Sequence, residues 1–351
     1  MIRRALPILA ALAASPAWTP AWANDSIAEL GAGGLVLSRS DAVAMESEDL
    51  FISTGEVRVD YRFRNVTDRD VEAIVAFPMP DLLGSPFEIP SLPVEAQDNF
   101  LDFEVEIDGK PVEPSLENRA FAAELDATDD LRAAGVSFFP FGDAAFEALA
   151  ELPGKVAEDW VRRGLITIDT YDDGSGWKDV RTPIWRLKST YWWPARFPAG
   201  KAVMVSHRYR PSVGMSVGTG LIGDPAAVAE YERRFCVDAA FRRAVEKAQK
   251  TSGEGGLPFS EMRLRYVLTT GGNWAFGTIG RFRLVVDKGA PENLVSFCGR
   301  NVKKTGPTTF EMAAEDFYPE RDLEILILQP AESGRGASPE PARKRRQVRR
   351  P

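Results

Sequence analysis

The chain has 351 residues, with 43 Lys and Arg against 51 Asp and Glu, one His and two Cys. Between residues 24 and 330 the balance is 34 basic to 49 acidic, which argues against nucleic acid as a partner because phosphates would be repelled. One histidine and two cysteines 62 positions apart argue against zinc coordination, and the length suffices for two hydrophobic cores.

At the N-terminus Arg3 and Arg4 precede an apolar stretch from Ala5 to Ala14 and then Ala21-Trp22-Ala23. That is the order of a secretory signal peptide, with cleavage expected after Ala23 and a mature, periplasmic chain beginning at Asn24. Arg-Arg-Ala-Leu-Pro lacks the flanking residues of a twin-arginine signal. No stretch reaches about 18 uninterrupted apolar residues, so no transmembrane helix is expected.

"GAGGLVL" reads as a turn, and "MESEDLFIS" as a solvated acidic loop carrying Glu46, Glu48 and Asp49 into a strand. Val57, Val59, Tyr61 and Phe63 alternate with Arg58, Asp60, Arg62 and Arg64, the pattern of a half-buried antiparallel strand. After a polar turn from Asn65 to Asp70 the alternation resumes at Val71, Ala73, Val75 and Phe77, which predicts a hairpin. Pro78-Met79-Pro80 then reads as a rigid exit from the sheet, since neither proline can donate to a ladder. Leu101, Phe103, Val105 and Ile107 form a further strand ending in the hairpin dipeptide Asp108-Gly109.

From Ser115 the apolar spacing becomes helical, and an insert of helices is expected over about 115–164, with Ser115 as N-cap and Gly135 closing its first helix. Strands return in "LITIDTY" and "WRLKSTYWWPARFPAGKAVMVSHRYRPS", the latter turning at Pro198-Ala199-Gly200. Asp224-Pro225 and Asp238 mark two more helix starts, "TSGEGGLP" is a linker, and alternating strands occupy the stretch to Pro330. The remainder is rich in Pro, Gly, Ser and Arg and is expected to be disordered.

These elements predict a mainly β protein: two antiparallel β-sandwich-like domains, 24–215 and 257–330, with the helical insert in the first, a helical joint at 216–256 and a basic tail at 331–351. In an oxidising compartment Cys236 and Cys298 either form one disulfide or stay as two buried thiols, and the compartment favours the bond.

The stretches "NDSIAELGAGGLVL", "MESEDLFIS", "YRFRNVTDRDVEAIVAFPMP", "YWWPARFPAGKAVMVSHRYRPSVG", "YVLTTGGNWAFGTIGRFRLVVDKG" and "LVSFCGRNVKKTGPTTFE" resemble a proteobacterial family of secreted proteins known as domain of unknown function 4424. That resemblance spans nearly all of residues 24–328 and implies no activity and no functional residues. A partial likeness of the first domain to the vault-protein/inter-alpha-trypsin-inhibitor domain rests on Asn65, Phe77-Pro78-Met79-Pro80 and the stretch from Phe197 to Tyr209. It implies a β-sandwich in which strands before and after the insert belong together.

The candidate chemistry is sparse. His207 shares a strand face with Val203, Val205 and Tyr209, and no Gly-x-Ser-x-Gly elbow accompanies it, so a packing role is the simpler reading. "TYDDGSG" offers Asp172, Asp173 and Ser175 as oxygen donors but lacks the full calcium loop, so a plain turn is the simpler reading there. Trp192, Trp193 and Trp274 are candidate binding aromatics, or else pack beneath the insert or between domains; strand alternation must send Trp192 and Trp193 to opposite faces. The tail residues Arg343, Lys344, Arg345, Arg346, Arg349 and Arg350 could meet an anionic membrane surface or fold onto the acidic body. The expectation is an exported, non-enzymatic accessory or binding protein of the cell envelope that engages a protein or polymer through aromatic and loop surfaces, with no cofactor and no metal. The alternatives are a periplasmic hydrolase whose carboxylate pair is not located and a purely structural envelope protein.

Overall fold

The strand Val57–Asn65 buries Val57, Val59, Tyr61 and Phe63 and turns its arginines outward, as alternation requires. A computed structural model describes it together with the rest of residues 24–31, 34–85, 99–172, 174–252 and 257–331. The expected signal peptide at 1–23, Asp173, the linker centre at 253–256 and the tail at 332–351, with Arg343, Lys344, Arg345, Arg346, Arg349 and Arg350, lie outside the described residues.

The expected hairpin is not formed. Val57–Asn65 pairs with Val43–Ile52 and Ala202–Tyr209, whereas Val71–Pro78 pairs with Ser26–Gly31 and Arg186–Phe197 in the opposite layer. Residues 65–70 therefore form an arch between two sheets. Asn65 organises it: Nδ2 donates to Arg69 O at 2.7 Å and to Phe197 O at 2.8 Å, while Oδ1 accepts from Thr67 N at 2.9 Å. Alternation was preserved because both strands have one buried face; what it could not show was that the two faces look at each other.

One layer runs Leu125–Asp126, Ser115–Ala122, Arg186–Phe197, Val71–Pro78, Ser26–Gly31, Gly34–Ser38, with Leu82–Leu83 also on Arg186–Phe197. The facing layer runs Lys303–Lys304, Thr309–Phe317, Ala275–Asp287, Val43–Ile52, Val57–Asn65, Ala202–Tyr209, Glu104–Ile107, Lys110–Val112. Strands before and after the insert are neighbours in both layers. The pairing of Ala275–Asp287 with Val43–Ile52 is parallel, and it joins the C-terminal region to the N-terminal sheet. A further antiparallel sheet contains Gly214–Val217, Phe259–Tyr266, Leu323–Pro330 and Leu294–Phe297. The mainly β, largely antiparallel class is thus as expected. The principal core is continuous across the sequence-based boundary: Phe77, Trp193, Tyr266, Ile279 and Ile325 belong to one buried cluster.

The helical insert begins later than its spacing indicated. Ser115–Ala122 is a strand laid along Arg186–Phe197, and the helices are Thr128–Ala134, Asp143–Ala150 and Gly154–Arg163. The long neighbouring strand supplies a full ladder that outweighs the modest helix preference of "SLENRAFA". Gly135 ends the first helix at φ 67°, as read from sequence. Leu131, Leu149 and Trp160 pack the helices into a second cluster with Trp185. Asp108 and Gly109 have φ 50° and 72° and turn the hairpin between Glu104–Ile107 and Lys110–Val112. Asp224 and Asp238 cap their helices through Ala227 N and Phe241 N. Cys236 and Cys298 form a disulfide with Cα atoms 5.0 Å apart, fastening the end of helix Pro225–Phe235 beside strand Leu294–Phe297. Among the described residues no helix is long and apolar enough to cross a membrane.

Candidate functional site: an arginine-lined cleft beside a buried polar centre

Pro78 and Pro80 leave one donor between them, the Met79 amide, and it donates to Ser189 O at 2.8 Å. The chain does not leave the sheet there. Pro78 stands opposite Thr190 and Leu82 opposite Leu187, so four steps on one strand match three on the other, a bulge that two prolines accommodate without losing more than their own missing donors. The segment ends at Gly84, where a Cβ would lie 2.6 Å from Pro183 O and only glycine fits.

This bulged edge forms one wall of a cleft of about 310 Å³. Met79, Leu82, Phe100, Leu101 and Met215 give it an apolar body, and Arg234, Arg263, Arg265 and Asp81 supply its charges. Strand alternation explains the arginines: Leu264 and Tyr266 are buried, so Arg263 and Arg265 share the opposite face. Arg234 Nε meets Glu324 Oε2 at 2.6 Å and Arg265 Nε meets Glu324 Oε1 at 3.2 Å, which orients both guanidinium groups through one carboxylate. Arg263 Nε lies 3.6 Å from Glu261 Oε1. Asp81 pairs with Arg186 at 3.3 Å, yet burial holds its carboxyl above the usual range against the pull of Lys188, Arg186 and Arg265. Three guanidinium groups and one carboxyl on an apolar wall suit an anionic ligand with an apolar body.

Behind the cleft, between the two layers, lies a closed polar centre. Asn24 and Asp25 are completely buried, and so are Glu48, Tyr61, Tyr266 and His207 within 2 % exposure. Asn24 Nδ2 donates to Glu48 Oε2 at 3.0 Å, the Tyr61 hydroxyl lies within hydrogen-bond distance of both Asn24 Oδ1 and, at 2.8 Å, the Tyr266 hydroxyl, and Tyr266 donates to Glu48 Oε1 at 3.2 Å. Glu48 overturns the reading of "MESEDLFIS" as a solvated loop. Val43–Ile52 is a central strand with a bulge between Met45 and Ser47, and the extra residue flips the alternation so that Glu48 points inward with Leu50 and Ile52. Burial pushes the Glu48 carboxyl up to about 8, partly offset by the Asn24 and Tyr266 hydrogen bonds. Burial, then the nearby Glu48 charge, raises Asp25, whose two carboxyl oxygens have no hydrogen-bond partner among the described residues. Burial alone pushes His207 down to about 3.

Of the residues singled out by sequence, Trp193 is fully buried in the central core and Trp274 is buried with Nε1 donating to Asp25 O at 2.6 Å. Neither offers a binding surface, because each ring is needed to fill the space between layers. Trp192 points to the other face and is half-buried, with Ala76 and Ser115 as its cross-strand neighbours. The structure does not bring the three together at a surface. Among the described residues the most exposed aromatics are Phe276 (80 %) and Trp177 (76 %), neither of which the sequence singled out. Asp172 Oδ1 accepts from Gly174 N at 2.8 Å and Gly176 N at 3.1 Å, which commits it to its turn. Among the described residues no group of three His, Cys, Asp or Glu side chains is placed to hold a metal.

No curated protein matches the sequence significantly. Among solved structures, the fold is similar to a candidate nutrient-binding protein from Legionella pneumophila subsp. pneumophila, at 16% identity and a TM-score of 0.43 over 88% of this chain and 70% of that one. It is also similar to an M1 zinc metallopeptidase from Deinococcus radiodurans, at 8% identity and a TM-score of 0.22 over 83% of this chain; the match spans less than half of the peptidase, 43%. Likenesses this weak say nothing about what the chain does. Residues 23–326 match the family model of domain of unknown function DUF4424, and the chain belongs to that family.

Proposed function

We propose that the protein is an exported, non-enzymatic binding protein of the cell envelope and that the cleft beside Pro78-Met79-Pro80 takes an anionic ligand with an apolar body. The observation that carries this reading is the convergence of Arg234, Arg263 and Arg265 on a wall otherwise made of Met79, Leu82, Phe100, Leu101 and Met215. A charge-assisted hydrogen bond from an arginine contributes about 1.5–3 kcal/mol, enough to select an acid over its neutral analogue. A hydrolase working through a carboxylate pair would need that pair open to its substrate. The neighbouring carboxyls Asp25 and Glu48 are sealed between the layers, out of reach of a substrate.

Titration calorimetry with decanoate and decanol tests the proposal. Decanoate is expected to bind at least about tenfold more tightly than decanol, a difference of about 1.4 kcal/mol. Met215→Glu, at a position 55 % exposed on the cleft wall, should remove that preference by placing a negative charge beside the arginines without touching the core. Equal affinity for acid and alcohol, or decanoate binding unaffected by Met215→Glu, would overturn the assignment.

A further inference from the structure

We infer that Asn24 is the first residue of the working protein and that the polar centre is a receptor for its free α-ammonium group, held inside the sandwich by the Glu48 and Asp25 carboxyl groups. The inference rests on the export reading above and goes beyond it, because it assigns the buried centre to a covalent processing step.

Three independent observations meet at this residue. The small-residue motif Ala21-Trp22-Ala23 places the scissile bond immediately before Asn24. Asn24 itself is fully buried and gripped on several sides: by Glu48 and Tyr61 through its side chain, by Asp25 N on Oδ1 at 2.9 Å, and by Thr270 Oγ1 on its carbonyl at 2.7 Å. Two carboxyls share the space, and among the described residues neither pairs with a lysine or arginine; both oxygens of Asp25 lack a hydrogen-bond partner although the group is completely buried. A buried carboxyl either stays protonated or pairs with a cation, and an ammonium group placed beside these two would let them ionise.

Covalent geometry keeps an α-nitrogen within about 5 Å of its own side-chain amide. The Asn24 amide nitrogen is 3.0 Å from Glu48 Oε2, so the α-nitrogen lies within about 8 Å of that carboxyl, near enough for the freed terminus to turn toward it. While it is part of a peptide bond it carries one hydrogen and no charge. Hydrolysis of the Ala23–Asn24 bond consumes one water, leaves a carboxylate on Ala23 and frees an amine on Asn24, which takes up a proton. The product has three N–H donors and a positive charge amid two acidic side chains. Since Asn24 is enclosed in the folded chain, cleavage precedes its burial: the leader is removed from an extended segment, and folding then draws the new terminus between the sheets.

The test uses the unaltered protein recovered from the periplasm. Mass spectrometry should find Asn24 as the first residue. Acetylation with an amine-reactive ester should modify its α-amine at least about tenfold more slowly in the native protein than in urea, while exposed lysines such as Lys110 and Lys201 react in both. A single glycine added before Asn24 should lower Tm, and the loss should shrink in Glu48→Gln. Where Glu48→Gln does not fold, the labelling of the unaltered protein decides. A native α-amine that reacts as fast as a surface lysine, or a different first residue, overturns the inference and leaves export standing. An uncleaved chain retained in the cytoplasm overturns both.

Discussion

His207 Nε2 and Asp25 Oδ1 face each other at 3.7 Å inside the sandwich, and neither has a hydrogen-bond partner among the described residues. The separation is beyond hydrogen-bond range, and with the Asn24 nitrogen uncharged burial drives the imidazole and the carboxyl toward their neutral forms, so the two groups do not form an ion pair. The rings of Tyr61, Phe77, Phe103 and Trp193 surround the imidazole at centroid distances of 4.9–5.4 Å, which fixes it as a packed element of the core.

That environment makes stability depend on pH through His207. Its folded value, about 3, lies below the unfolded value of 6.5, so the unfolded chain binds the proton first and the stabilising difference, complete above 6.5, is lost as pH falls toward 3. Asp25 faces the imidazole, and Glu48 and the phenols of Tyr61, Tyr209 and Tyr266 line the same core; the raised carboxyls of Asp25 and Glu48 act in the opposite direction. The measurable quantity is therefore the difference from His207→Gln. Relative to that variant, wild type should lose about 2–3 kcal/mol between pH 7 and 4.5. Urea unfolding across this range with parallel curves would refute the assignment.

Asn65 joins the two layers at the arch. Asn65→Ala removes the donors to Arg69 O and Phe197 O and the acceptor of Thr67 N, and it should cost about 2–4 kcal/mol. Asn65→Asp, which keeps the acceptor alone, should recover only part of this. Denaturant midpoints for the two variants check the order.

The adjacent tryptophans should separate sharply. Trp193→Ala empties a fully buried site and should cost about 3–5 kcal/mol. Trp192→Ala, on the half-buried outer face, should cost less than half as much. Similar losses in urea titrations would mean that the outer face is packed as tightly as the core.

Replacing Cys236 and Cys298 by serine opens a cross-link spanning 62 residues. Chain entropy sets the expected loss at about 4 kcal/mol or less. Unfolding of the wild type with and without reductant should reproduce the shift, and an unchanged midpoint would show that the unfolded chain gains little freedom when the bond is cut.

Much of the fold was legible because alternation is a local property. Val57 to Phe63 and Val203 to Tyr209 each disclosed a strand and its buried face, whereas of the strand expected from Leu101 to Ile107 only Glu104–Ile107 forms, because Asp102 takes φ 53° and breaks the extended run; Asp108-Gly109, Asp224-Pro225 and Gly135 disclosed where elements turn or end. Pairing was not legible. Residues 65–70 suit a hairpin and an arch equally, and only the position of Arg186–Phe197 made them an arch.

The candidate site shows the same division. The sequence by itself determined that Arg263 and Arg265 share one strand face, that Met79 is held between two prolines, and that Trp192 and Trp193 diverge, since these follow from the two-residue period of an extended chain and from proline's missing donor. Tertiary structure alone decided that the arginines confront Met79 across a cleft and that Glu48 turns inward to Asn24. A one-residue bulge after Met45 reverses which side chains are buried, and a long-range parallel pairing sets the sheet in which that bulge sits; neither leaves a mark on the local pattern of residues.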